Sequence, residues 1–97
     1  MADQKIVCEY EGEVLKAIKK GWKFTLANTL KELNLVVEFI GDEGAQSLSE
    51  SLKFNSTLTS LTLAWNNIGS SGAQSLSESL KFNSTLTTLH LLDNNIG

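Results

Sequence analysis

Ninety-seven residues suffice for one domain and not for two. The net charge of −3 and the absence of any arginine exclude the basic surface of a nucleic-acid binder and remove the residue used for phosphate clamps and arginine fingers. The single cysteine, Cys8, excludes an internal disulfide framework, and no apolar run approaches the ~20 residues that a membrane-spanning helix requires.

Residues 1–28 read as an N-terminal cap. Met1 to Tyr10 carries charges around its short apolar stretch Ile6-Val7-Cys8 and does not resemble a secretory signal. With one unpaired cysteine, this gives the expectation of a soluble, cytoplasmic chain. Lys5 to Tyr10 reads as a short strand. Glu11 to Lys20 predicts a helix, because Val14, Ala17 and Ile18 share a face and Gly21 can end it. Lys16, Lys19, Lys20 and Lys23 read as the solvated side of that helix, with an acidic partner or anionic surface as the functional alternative. Trp22, Phe24 and Leu26 follow with alternation. The whole unit is expected to cover the open end of what comes next.

From Thr29 onward the chain repeats itself. Gly41–Ile68 and Gly69–Ile96 align without a gap at an offset of 28 residues. Upstream, Leu30, Leu33, Leu35 and Ile40 fall in register with Leu58, Leu61, Leu63 and Ile68, then with Leu86, Leu89, Leu91 and Ile96. Each copy reads Leu-x-x-Leu-x-Leu-x-x-Asn-x-Ile, with Glu38 in place of Asn in the first. Leu-x-Leu has the period of a strand with both leucines on one side. Ala73, Leu76 and Leu80 form one helical stripe. Strands are therefore predicted over about 33–35, 61–63 and 89–91, and helices over about 43–53 and 71–81. Ser70 or Ser71 can cap the second of these helices and Asp42 the first. Asn66 and Asn94, which offer both donor and acceptor, are placed to satisfy backbone groups at the bend after each strand. Asn55-Ser56-Thr57 and Asn83-Ser84-Thr85 match a glycosylation sequon, but recur because the repeat recurs.

This pattern resembles the leucine-rich-repeat family. The Ile-Gly-x-x-Gly-Ala-x-x-Leu continuation looks like its ribonuclease-inhibitor-like branch, which includes NOD-like-receptor and Ran-GTPase-activator repeats. The resemblance covers about Thr29 to Gly97. It implies an α/β fold: a right-handed solenoid with a short parallel sheet on its concave side and helices on its convex side. It also implies a non-catalytic protein-interaction module that binds through the concave sheet face. The alternatives are a GTPase-regulating protein of the same repeat type, or an inactive fragment or designed piece of a longer array. The last strand stands without a following helix, so self-association through that end is a further expectation.

The two close copies differ at Asp42/Ser70, Glu43/Ser71, Ser60/Thr88, Thr62/His90, Ala64/Leu92 and Trp65/Asp93. The last four pairs lie in or beside the strands, at positions expected to point away from the leucines. The candidate partner-binding surface is therefore built from Asn34, Thr62 and His90; from Val36, Ala64 and Leu92; and from Val37, Trp65 and Asp93. Trp65 is its expected anchor, since aromatic side chains dominate binding hot spots. The competing reading folds that ring onto its own turn. No Gly-x-Ser-x-Gly elbow is present, Gly69-Ser70-Ser71-Gly72 lacks the lysine of a phosphate loop, and His90 has no second His or Cys at ligand spacing. No catalytic residue, metal site or cofactor is assigned, and the expected partner is a protein, not a nucleic acid or a membrane.

Overall fold

The structure is a computed structural model that describes residues 6–36, 38–91 and 94. The described residues form β1 (Ile6–Cys8), α1 (Glu11–Lys20), β2 (Phe24–Leu26), β3 (Glu32–Asn34), α2 (Gly41–Phe54), β4 (Ser60–Thr62), α3 (Ser70–Ser79) and β5 (Thr88–His90). β1 pairs with β2 in one parallel sheet, and β3, β4 and β5 follow one another in a second. In the second sheet each residue lies beside the one 28 positions later: Leu33 beside Leu61, and Leu61 beside Leu89.

The strands of this sheet start and stop one residue earlier than the leucine spacing suggested. The ladder nevertheless runs on, because Leu35 N–H donates to Thr62 C=O (2.9 Å) and Leu63 N–H to His90 C=O (2.8 Å). Leu33, Leu35, Leu58, Leu61 and Leu63 are buried in one core with Leu48 and Leu52 of α2 and Leu76 of α3. Cys8, Val14, Ala17, Ile18, Phe24 and Leu26 belong to the same core, so the N-terminal unit is continuous with the repeats.

α1 carries Glu11 and Glu13 in its first turn and Lys19 and Lys20 in its last, which complements the helix dipole. Gly21 ends it in the left-handed conformation (φ 73°), and Trp22 N–H then reaches back to Ala17 C=O at 2.9 Å. α2 and α3 start at Gly41 and Ser70, two and one residues ahead of the expected starts. The capping also differs from the expectation. Neither helix is capped by its own side chains. Instead, Asp42 Oδ1 of α2 accepts the Gly69 (2.7 Å) and Gly72 (3.0 Å) N–H groups at the start of α3. The carboxylate thus satisfies two free donors at the start of the next helix, where the dipole favours a negative charge. Gly72 allows this approach: a Cβ there would sit 2.7 Å from Asp42 Oδ1 and 2.8 Å from Ile68 Cγ2.

Candidate functional site

Two asparagine columns set the turns on either side of the strands. Asn66 is fully buried. Its Oδ1 accepts Glu38 N–H (2.8 Å) and Ile40 N–H (3.3 Å), and its Nδ2 donates to Leu35 C=O and to Ala64 C=O (3.1 Å). Asn94 does the same one repeat later, accepting Asn66 N–H and Ile68 N–H at 2.9 Å and donating to Leu63 C=O (2.8 Å) and Leu91 C=O (3.1 Å). The side chain therefore serves the preceding repeat as well as its own turn. Glu38 is intelligible on this basis: an amide in its place would have to serve a repeat turn before it, and the N-terminal unit stands there instead.

Asn55 and Asn83 form the second column, ahead of the strands. Asn55 Oδ1 accepts Thr57 N–H (3.0 Å) and Leu58 N–H (2.7 Å), while Nδ2 donates to Leu26 C=O (3.4 Å) and Thr57 Oγ1 (3.2 Å). Asn83 Oδ1 accepts Thr85 N–H (3.0 Å) and Leu86 N–H (2.8 Å), and Nδ2 donates to Leu52 C=O (2.9 Å) and Asn55 C=O (2.8 Å). Threonine hydroxyls add a parallel series, Thr57 to Leu30 C=O and Thr85 to Leu58 C=O, both 3.2 Å. The sequon asparagines are thus buried, with both amide hydrogens engaged. That is a structural role, and it leaves no free amide for a glycan in the folded chain.

The outward face of the second sheet is polar. Glu32, Asn34 and His90 are exposed, and Ser60, Thr62 and Thr88 half-buried. Its far edge is not bare, because Glu11 Oε2 accepts Asn34 N–H at 2.9 Å. A carboxylate on that edge discourages pairing with another strand. Beyond the strands the expected apolar column fails. Val36 is half-buried, and Ala64 is only 9 % exposed. The in–out alternation stops with the strand at Thr62. Past it the chain turns, and Asn66 Nδ2 holds Ala64 by its carbonyl. Val37, Leu92 and Asp93 lie outside the described residues.

Trp65 stands apart from its neighbours. Its backbone is left-handed (φ 61°) and its side chain is 55 % exposed. A bulky residue in that region costs roughly 1–2 kcal/mol. Phe39 shares both features, with φ 56° and 77 % exposure. Sequence reasoning missed it. The available signal was its column: the later copies have Asn67 and Asn95 there, and Asn tolerates the left-handed region where Phe does not.

On the helix side, a groove of about 870 Å³ is lined by residues that include Trp22, Lys23, Glu43, Glu50, Lys53 and Phe54. Its Ser49 and Ser75 hydroxyls donate to Ala45 C=O (2.7 Å) and Ser71 C=O (3.3 Å), so neither is paired with a base. Among the described residues no group of three or more His, Cys, Asp or Glu could hold a metal ion, and no helix is long and apolar enough to cross a membrane. Burial, helped by Glu13, pushes the Cys8 thiol above its ordinary value.

A profile of the family described as Leucine Rich repeat matches residues 54–77 and 82–97. No curated protein matches the chain. The profile matches, to less than half of the chain, support leucine-rich repeats and fit the α/β repeat arrangement described above, and domains of this family generally mediate protein–protein interaction and are typically non-enzymatic.

Proposed function

We propose that this leucine-rich-repeat chain is a non-catalytic protein-interaction module that binds its partner through the outward face of β3, β4 and β5 and the turns just beyond it. Asn34, Thr62 and His90 form the polar floor and Trp65 the anchor. In this reading the repeats are of the ribonuclease-inhibitor-like kind. They coil into a right-handed solenoid with this sheet on the concave side, residues 1–28 cap one end, and the chain works in the cytoplasm. The observation that carries the reading is Trp65. A large aromatic ring is kept in solvent on a strained backbone, on the surface where two otherwise near-identical repeats differ. Strain of this sort tends to sit at functional positions.

The test is capture of partners by the wild-type chain and by Trp65→Ala. Truncation should weaken a true partner by about 2 kcal/mol or more. The urea midpoint should fall only modestly, because Trp65 lies outside the core and is more than half exposed. Retained binding by a folded Trp65→Ala chain would falsify the assignment. The GTPase-regulating alternative has only the resemblance of the repeat behind it, and a hydrolysis assay with candidate small GTPases separates the two.

A further inference from the structure

We propose that Phe39 and Trp65 form one aromatic ledge that takes a Lys- or Arg-bearing segment of the protein partner. This rests on the reading of the rim as the recognition surface and adds the chemistry of what it recognises.

The placement follows from one amide. The N–H groups of Glu38 and Ile40, on either side of Phe39, both donate to Asn66 Oδ1, and Trp65 directly precedes Asn66. Gly41 N–H also donates to Asn66 C=O at 2.8 Å. The two left-handed, exposed aromatics therefore flank a single buried side chain, which ties their backbones together. Their rings do not fill the core, which closes without them. Neither position demands an aromatic: the copies carry Asn67 and Asn95 in the Phe39 column and Val37 and Asp93 in the Trp65 column.

The surrounding charge selects the occupant. Segments 9–13, 34–42 and 62–69 contain Glu9, Glu11, Glu13, Glu38 and Asp42 but no lysine. Glu11 and Asp42 are fixed by their bonds to Asn34 N–H and to the start of α3. Among the described residues the one ion pair is Lys53–Glu50, on α2, so none of these carboxylates is paired with a described lysine. Aromatic faces ringed by carboxylates attract ammonium and guanidinium groups, and arginine stacks on such faces as well. An acidic segment would meet like charge.

The experiment uses the full chain carrying Trp22→Phe, so that Trp65 is the sole tryptophan reporter. Its emission is followed on titration with two synthetic decapeptides of equal length, one alternating Arg and Leu, the other Glu and Leu. The Arg peptide should bind at least about tenfold more tightly, and should weaken as salt is raised. Phe39→Asn, which places the residue of the later copies on the same left-handed backbone, should leave the fold intact and lower that affinity by about tenfold. Equal response to both peptides, no response to either, or an unchanged affinity in Phe39→Asn overturns the proposal. If a captured partner still depends on Trp65 while neither peptide binds, the recognition surface stands and its cationic specificity falls.

Discussion

Residues 41–68 and 69–96 carry nearly one sequence and live in two environments. The first copy is flanked on both sides, by residues 6–40 and by the second copy. The second is flanked by described residues on one side. Leu58, Leu61 and Leu63 are fully buried, whereas Leu86, Leu89 and Leu91 are half-buried. Leu52 is 1 % exposed and its equivalent Leu80 is 39 % exposed. The helix responds in kind: α2 runs through Phe54, but α3 stops at Ser79, so that Leu80, Lys81 and Phe82 are left in turns. In a stacked fold, what a residue contributes depends on how many neighbours lie against it, since no repeat buries its own leucines.

The sharpest way to break this comparison is to truncate the same leucine in each copy. Leu61→Ala should cost about 3–4 kcal/mol, since a fully buried leucine leaves a cavity. Leu89→Ala should cost roughly 1–2 kcal/mol, because part of that side chain already meets water. Urea unfolding measures both. Equal losses would show that stacking does not set the difference.

The asparagine column gives the next largest contrast. Asn66→Ala strips partners from the N–H groups of Glu38 and Ile40 and from the carbonyls of Leu35 and Ala64. The expected cost is about 2–4 kcal/mol, from several buried groups left unpaired at once. Asn94, half-buried, should cost roughly half of that on the same substitution. Amide exchange reports the direction of the coupling. Asn66→Ala should accelerate Glu38 and Ile40, and Asn94→Ala should accelerate Asn66 and Ile68.

Asp42 separates the copies more gently. Asp42→Ala should cost about 1 kcal/mol and speed exchange at Gly69 and Gly72, as loss of a helix cap does. Asp42→Asn should recover most of it. If exchange rose at the start of α2 instead, the carboxylate would be serving its own helix.

Periodicity made some of this legible and hid the rest for one reason. The offset of 28 residues, the inward leucines and the turn role of Asn66 could be read because each depends on which residues recur. Direction could not be read, because recurrence does not say which neighbour a side chain reaches. Asp42 was expected to cap α2 and caps α3. Asn55 and Asn83 were legible as products of the repeat, but not as donors to the carbonyls of the preceding turn. At the candidate site, Asn34 and His90 are exposed as strand alternation requires, while Ala64 is not, since it lies two residues past the end of β4, where the chain has turned. Phe39 is hidden for a related reason: it belongs to the degenerate first copy, and differences between the two near-identical copies carry no signal there.

The smallest effect concerns the N-terminal unit, which lies outside the repeat but closes the other side of the first copy. Cys8 is fully buried there, and its thiol titrates above the ordinary range because burial disfavours the thiolate and Glu13 repels it. The unfolded chain, with an ordinary thiol near pKa ~8.5, releases this proton first as pH rises. Over the window between the unfolded and the raised folded value, the unfolded state therefore binds fewer protons, and stability must fall with pH. Below that window the contribution is constant. Cys8→Ser should flatten this alkaline decline relative to wild type, while lowering stability throughout because a hydroxyl is buried in its place. In the native chain at neutral pH, a thiol reagent should modify Cys8 only as fast as the unit opens. Modification at the rate of a free thiol would mean that this end of the stack is not closed.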